Sequence, residues 1–141
     1  MKVREFMSGN PCYISKNDTL EFAAKKMQEF DCGFLPVGDN DRIDGVITDR
    51  DITLRAVAQG KNPSECKAGD CMTSKVLYCA EDDDLDFVSK SMKEQQVYRL
   101  IVLNNRSDKR LSGVISLGDV SRQGSHDKFV GETAEFMKKA A

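Results

Sequence analysis

The sequence lacks the features that mark membrane, secreted or fibrous proteins. It has no tryptophan, one histidine and three prolines in 141 residues. No apolar run reaches the roughly 18 residues that a membrane-spanning helix requires. The first residues carry no apolar stretch of the kind found in secretory signals. We therefore expect a cytoplasmic protein that contacts no membrane.

An excess of charge of one sign is also missing. The 21 basic and 23 acidic residues leave a formal net charge of −2. Binding to nucleic acid without sequence preference needs a basic surface, so we expect no nucleic-acid partner. Apolar residues make up 40% of the chain, which is enough for a core. The length suits one ordinary domain or two small ones.

The five cysteines and the single histidine form no metal-binding or catalytic pattern. The sequence has no Cys-x-x-Cys pair, and Cys66 and Cys71 have no second ligand pair nearby, whereas a zinc site needs about four clustered ligands. His126 lies in a Gly-Ser-His-Asp stretch that offers no partner for general-base chemistry. We predict reduced thiols, no metal site, no catalytic residue and no required cofactor.

The strongest signal is an internal repeat. Residues of the first half recur 65 positions later, as the step from Met7 to Met72 shows (72 − 7). After a three-residue insertion the offset becomes 68 (113 − 45), and 45–48 then matches 113–116. Chance similarity between amphipathic helices would not keep turn positions in step, so we infer two tandem copies. We expect them to pack face to face around one shared core, because each copy alone buries too little surface.

Each copy has the order β-α-β-β-α, which predicts an α+β fold. In the first copy, Asn17 or Asp18 is the expected N-cap of a helix. The apolar residues of that helix recur at helical spacing, and they are Leu20, Ala23, Ala24, Met27 and Phe30. Strands are predicted at 34–37 and 43–47. Thr48 is predicted to cap a second helix that continues to Gly60.

The second copy follows the same order. Its predicted elements are an extended run at 75–80, a helix at 82–96, strands at 99–103 and 111–115, and a short helix capped by Ser116. The predicted boundaries along the chain are repeat 1 at 1–60, a linker at 61–67, repeat 2 at 68–123 and a tail at 124–141. Phe129, Phe136 and Met137 give the tail a weak helical periodicity, so we expect it to pack on the domain or on a partner subunit.

One motif closes both copies: glycine, two aliphatic residues, a hydroxyl residue, two variable residues and aspartate. It ends in Thr48 and Asp51 in the first copy, and in Ser116 and Asp119 in the second. At a strand-to-helix junction the first backbone N–H groups point outward and favour an anion, while the carboxylate suits ribose hydroxyls. The same spacing is also that of a capping box, which stabilises a helix without any ligand. Both interpretations stay open.

Arg99 adds to the ligand interpretation. It opens a strand of the second copy at the position where the first copy carries Phe34. An arginine near a helix N-terminus suits a phosphate group, although a surface ion pair would also account for it.

Two β-α-β-β-α copies that each close with this motif resemble a tandem pair of CBS (cystathionine-beta-synthase) domains, over about residues 1–122. The resemblance rests on 34–37 followed by 41–51, and on 97–102 followed by 113–119. It is similar to stand-alone bacterial members of the family. It implies a pair with a pseudo-twofold axis, two clefts between the copies, and a homodimer formed through helices.

The resemblance also implies a ligand class. Clefts of this family commonly bind AMP, ADP, ATP or another adenosine derivative such as S-adenosylmethionine. In the family the motif aspartate holds the ribose, and the hydroxyl residue contacts ribose or phosphate. The stretch 97–100 is similar to one that reaches phosphates in the regulatory gamma subunit of AMP-activated kinase. The implied main cleft is therefore formed by Thr48, Asp51, Tyr98 and Arg99.

The implied second cleft has Phe34 with Ser116 and Asp119. Because Phe34 brings no cation, we expect this cleft to bind phosphate more weakly or not at all.

Two functions follow as hypotheses. The first is a non-catalytic regulatory module that senses an adenosine-containing ligand and acts on a protein partner. The second is a structural dimerisation or adaptor module whose clefts are unused.

Overall fold

The structure is a computed structural model that describes residues 1–123, with side chains described through residue 121. Its helices and strands, after a 3-10 turn at Val3–Glu5, are β1 (Ser8–Gly9), α1 (Leu20–Glu29), β2 (Phe34–Asp39), β3 (Arg42–Thr48), α2 (Asp49–Ile52), α3 (Ala68–Cys71), β4 (Tyr78–Ala80), α4 (Leu85–Gln95), β5 (Arg99–Leu103), β6 (Leu111–Ser116) and α5 (Leu117–Gln123). The predicted α+β class is confirmed. The predicted tail helix and His126 lie outside the described residues.

The chain forms two compact units. One is continuous and comprises Cys12–Val76. The other is split, because it combines Met1–Pro11 with the chain from Leu77 onward. We call them the continuous unit and the split unit.

In the continuous unit, β2 and β3 pair antiparallel, with Phe34 opposite Thr48. Ile14 bridges β2 in parallel orientation, and Thr73 bridges β3 in antiparallel orientation. The Ile14 N–H donates to the Pro36 carbonyl at 3.1 Å. Pro36 therefore contributes an acceptor to this pairing, which suits a residue without an N–H group.

The split unit has the same arrangement, with strands β4 and β1 in place of the single bridges at Ile14 and Thr73. Its strand order is β1-β6-β5-β4, with β4 parallel to β5 and the other neighbours antiparallel. Ser8 lies opposite Val114, just as Thr73 lies opposite Val46 in the continuous unit. The two units thus share one topology, as the sequence repeat predicts.

The compact units include segments from beyond the predicted repeat boundaries at 60 and 68, which stay a prediction. Val3 is fully buried in the split unit, where its N–H donates to the Asp83 carbonyl at 3.0 Å. Ala68, at the predicted start of the second repeat, is fully buried in the continuous unit. These segments are too short to carry a periodic pattern, so sequence reasoning placed them by adjacency alone.

The motif glycines make room for the segments that pair with β3 and β6. A Cβ on Gly113 would lie 2.5 Å from the Ser8 carbonyl oxygen. A Cβ on Gly45 would lie 2.7 Å from the Thr73 carbonyl oxygen. Only glycine permits such a close backbone approach. The first residue of the repeated motif is therefore a packing requirement of the fold.

Buried side chains form two clusters, one in each unit. The expected packing of the two copies around one shared core stays a prediction. The cluster of the continuous unit consists of Ile14, Leu20, Ala23, Met27, Leu35, Val37, Ile47, Ala56, Ala68 and Cys71. The cluster of the split unit consists of Val3, Cys79, Leu85, Val88, Met92, Leu100, Val102, Ile115, Leu117 and Val120. Each unit therefore has enough apolar residues to enclose a core of its own.

Helix α1 differs from the prediction in its N-cap and in the residues that it buries. Its N-cap is Thr19, whose Oγ1 accepts the Phe22 N–H at 3.1 Å. Asp18 instead accepts the Ser15 N–H at 2.8 Å and closes the preceding turn. Ala24 and Phe30, predicted to face inward, are exposed. The three inward positions that are buried are Leu20, Ala23 and Met27.

The other helices differ from the predictions at their ends. Helix α4 begins after its N-cap Asp84 rather than at residue 82. The helix that follows Thr48 is α2, and it continues as a π-helical turn at Thr53–Val57. Strand β5 begins and ends where the prediction placed it.

Candidate functional site

The motif of the continuous unit forms a capping box. Thr48 Oγ1 accepts the Asp51 N–H at 3.1 Å, and Asp51 Oδ2 accepts the Thr48 N–H at 3.0 Å. The helix-capping interpretation of this motif is therefore confirmed. Capping uses Oδ2 of Asp51, whereas Oδ1 faces the guanidinium of Arg55 at 3.7 Å. Because a carboxylate offers about four acceptor positions, Asp51 keeps capacity for a ligand hydroxyl.

The split unit has the same capping box at the start of α5. Ser116 Oγ accepts the Asp119 N–H at 3.1 Å, and Asp119 Oδ2 accepts the Ser116 N–H at 2.9 Å. Both copies of the motif therefore bring a hydroxyl and a carboxylate to the strand-to-helix junction. This geometry serves the helix first, and it also orients the carboxylate.

A second pair of positions flanks each capping box. In the split unit, Arg99 lies opposite Ser116 in the pairing of β5 and β6, and the Leu117 N–H donates to the Tyr98 carbonyl at 2.7 Å. Tyr98 is 43% exposed and Arg99 is exposed as well. The split unit thus collects a phenol, a guanidinium, a hydroxyl and a carboxylate at one edge.

The continuous unit has different chemistry at the equivalent edge. Phe34 lies opposite Thr48, and the Asp49 N–H donates to the Gly33 carbonyl at 3.0 Å. A Cβ on Gly33 would lie 2.6 Å from Asp49 Oδ2, so the glycine leaves room for this carboxylate. The edge therefore carries two acids, Asp49 and Asp51, and an aromatic ring in place of a cation.

The predicted site residues are thus divided between the units. Phe34, Thr48 and Asp51 belong to the continuous unit, and Tyr98, Arg99, Ser116 and Asp119 belong to the split unit. The predicted main cleft joins residues of both units and stays a prediction. So does the second cleft.

Sequence reasoning gave no role to Asp49 or Arg55. The offset of 68 would have aligned Asp49 with Leu117 (117 − 49). Nothing in the sequence pointed to Arg55, whose contacts depend on the packing of Cys71 and Thr73.

The cysteines show no sign of reactive thiol chemistry among the residues that the structure describes. All five are thiols. Burial raises the pKa of Cys79 to about 12, and burial also raises the pKa of Cys12 and Cys71. A thiol with a raised pKa is mostly protonated near neutral pH and is a weak nucleophile.

Within residues 1–123, no group of three or more His, Cys, Asp or Glu side chains is arranged to hold a metal ion. In the same part of the chain, no helix has the length and apolar character needed to span a membrane.

The family follows from a match over both repeats. A model of the CBS domain matches residues 3–57 and 68–126. The chain belongs to the CBS domain family and is a pair of these domains, as the repeated motif predicted.

Two relatives are similar over most of the chain. Hypoxic response protein 1 of Mycobacterium tuberculosis is 33% identical over 120 residues, which are 84% of this chain and 82% of that protein. The uncharacterized protein YlbB of Bacillus subtilis is 36% identical over 122 residues, which are 85% of this chain and 80% of that protein.

Solved structures show the same fold. Hypoxic Response Protein I, determined with two coordinated zinc ions, has a TM-score of 0.78 and 32% identity, covering 87% of this chain and 98% of that one. The CBS domain pair of protein MJ0100, in complex with 5′-methylthioadenosine and S-adenosyl-L-methionine, has a TM-score of 0.76 and 27% identity. That alignment covers 86% of this chain and 94% of the other.

Proposed function

We propose that this protein is a non-catalytic regulatory module that binds an adenosine-containing ligand of the AMP, ADP or ATP class between its two CBS domains. The observation that carries the proposal is the repeated capping box, which orients one carboxylate, Asp51 or Asp119, at the same junction of each unit. A ribose presents two adjacent hydroxyls, and a carboxylate can accept hydrogen bonds from both.

The ligand class has support from a relative. The CBS domain pair of MJ0100 was determined with two adenosine derivatives, 5′-methylthioadenosine and S-adenosyl-L-methionine. Adenosine is common to these compounds and to the nucleotides. In our proposal the ribose is held by the motif aspartates, and Arg99 and Tyr98 contact the phosphates.

Regulation follows if the ligand prefers one arrangement of the two domains. A ligand shifts a conformational equilibrium only by its difference in affinity for the two states. The proposed output is a change in a surface that a second copy or another protein contacts. A cytoplasmic location, where adenine nucleotides are abundant, belongs to the same proposal.

The test is a thermal-shift panel with AMP, ADP, ATP, S-adenosylmethionine and 5′-methylthioadenosine. A compound at 100 times its dissociation constant adds about 2.7 kcal/mol to the stability of the folded state. We expect a shift for at least one compound and a smaller shift in Asp51→Asn, which keeps a capping acceptor but loses the charge. The matched control is Asp18→Asn, because Asp18 also accepts a backbone N–H three residues back. The absence of any shift in the wild-type protein would contradict the proposal.

A second candidate function is a dimerising adaptor, and exposed aromatic residues on the helices favour it. Phe22 and Phe30 of the α1 region are 40% and 52% exposed, and Phe87 of α4 is 55% exposed. Lys26 lies 5.5 Å from the ring centre of Phe22, so a cation covers part of this face. Aromatic residues beside polar ones are typical of protein interfaces.

Sedimentation of the wild type and of Phe22→Ser with Phe87→Ser tests the adaptor. A homodimer that dissociates in the double variant, together with a silent ligand panel, would favour the adaptor over the sensor. A wild-type monomer at micromolar concentration would contradict the proposed homodimer.

A further inference from the structure

Arg55 connects the motif carboxylate to the last segment of the continuous unit. Its Nη1 donates to the Cys71 carbonyl at 3.0 Å and to Thr73 Oγ1 at 3.2 Å. Its Nη2 lies 3.7 Å from Asp51 Oδ1. The Nη1 group of the guanidinium is thus anchored, while the Nη2 group is directed at the carboxylate.

The anchor itself is held by backbone hydrogen bonds. The Thr73 N–H donates to the Val46 carbonyl at 2.8 Å, and the Val46 N–H donates to the Thr73 carbonyl at 3.0 Å. Val46 belongs to β3, the strand that ends at Thr48. Through Thr73, Arg55 is therefore connected to the strand that also carries the capping box.

The Asp51 carboxylate is held from two sides as a result. Oδ2 accepts the Thr48 N–H, and Oδ1 faces Arg55. The Asp51 side chain is 16% exposed, whereas that of Arg55 is 48% exposed. The carboxylate thus remains accessible at one edge, with a partner at each oxygen.

We propose that Arg55 is a positioning residue for ligand binding in the continuous unit, because it fixes the Asp51 carboxylate in the orientation that receives the ribose hydroxyls. This inference rests on the proposed function. A carboxylate that is already oriented loses less rotational freedom when a ligand binds, which favours affinity. The second copy carries Gln123 at the equivalent position (123 − 55 = 68), so this support belongs to the first copy.

The test compares affinities by isothermal titration calorimetry, with AMP, ATP and S-adenosylmethionine as probes. We expect Arg55→Met to weaken binding by about fivefold, in line with the strength of a partly exposed ion pair. Arg55→Lys, which keeps the charge, recovers part of the loss. Thr73→Val removes one anchor and gives a smaller loss of the same kind. The matched control is Arg50→Met, the same charge change on the same helix, which leaves the affinities unchanged.

A ligand without ribose hydroxyls separates positioning from general stability. If Arg55 acts through Asp51 on the ribose, the loss seen with AMP disappears with 2′,3′-dideoxyadenosine monophosphate. A loss of equal size with both compounds would overturn the inference, and so would wild-type affinity in Arg55→Met. If the wild type binds none of the three probes, the proposed function itself fails and this inference fails with it.

Discussion

The continuous unit and the split unit have the same topology, and each has a capping box at the same junction. The residues beside the two capping boxes differ in chemistry. In the continuous unit the flanking positions are Gly33, Phe34 and Asp49, which supply an acid and an aromatic ring but no cation. In the split unit the equivalent positions are occupied by Tyr98, Arg99 and Leu117, so the edge offers a cation.

The residues that the fold requires can thus be distinguished from the residues that could determine which ligand binds. The capping box and the motif glycine recur because each unit needs them to cap a helix and to pair a strand. The flanking residues differ because nothing in the shared topology constrains them in this way. Differences in ligand preference between the two copies are therefore expected from the flanking residues.

The largest expected effect comes from the motif glycines. Gly113→Val would place a Cβ 2.5 Å from the Ser8 carbonyl oxygen, and Gly45→Val would place one 2.7 Å from the Thr73 carbonyl oxygen. We expect each change to lower the free energy of unfolding by about 1–3 kcal/mol through overpacking. Urea denaturation followed by circular dichroism measures it.

Gly9→Ala is the control, because a Cβ on Gly9 has no atom within 4 Å. Its effect should stay within about 0.5 kcal/mol. If Gly113→Val and Gly9→Ala were equally mild, the close pairing of β1 with β6 would be wrong. If only one of the two valine variants were destabilising, the equivalence of the units would fail.

A medium effect concerns an ion pair that the insertion of the second copy supplies. Arg106 contacts both oxygens of Asp83 at 2.8 Å. These hydrogen bonds hold the pKa of Asp83 below its usual value. Because the folded-state pKa is the lower one, the stabilisation is complete above pH of about 4 and is lost as the pH falls through the folded-state pKa.

Arg106→Met should therefore lower stability by at most about 1 kcal/mol near neutral pH, since the arginine is 52% exposed. The difference between variant and wild type should shrink below pH of about 4. Asp18, the equivalent residue in the first copy, provides the comparison, because its described contact is with a backbone N–H. A difference that stays constant across this pH range would contradict the role given to the pair.

The smallest expected effect concerns phosphate recognition at the split unit. If Arg99 contacts a phosphate, Arg99→Met should weaken the binding of ATP by about fivefold and leave the affinity for adenosine unchanged. Arg110→Met removes the same charge from the turn between β5 and β6 and serves as control. Equal losses for ATP and adenosine would contradict a phosphate contact, and calorimetry distinguishes these outcomes.

Much of the fold could be predicted because the signals are local. Strand β5 and the caps at Thr48 and Ser116 each depend on residues a few positions apart, and the repeat shows the same local patterns twice in the sequence. The family resemblance followed from the same motifs. For Asp51 and Asp119 the sequence predicted two roles, helix capping and binding of ribose hydroxyls. The capping role is confirmed.

The remaining features could not be predicted because they depend on packing between distant segments. Val3 joins the core of the split unit, and Ala68 joins that of the continuous unit, although neither lies in a periodic stretch. Phe30 satisfies the helical spacing yet is exposed, since spacing identifies a face but not its edges. The contacts of Arg55 with Cys71 and Thr73 join segments that lie 16 and 18 residues apart along the chain.

The measurement that most directly tests the account is the calorimetric titration of AMP and ATP into the wild type and into Asp51→Asn, Asp119→Asn and the double variant. We expect the wild type to bind at least one nucleotide, the single variants to bind it more weakly, and the folded double variant to bind none. A double variant that unfolds like the wild type and binds with wild-type affinity would contradict it.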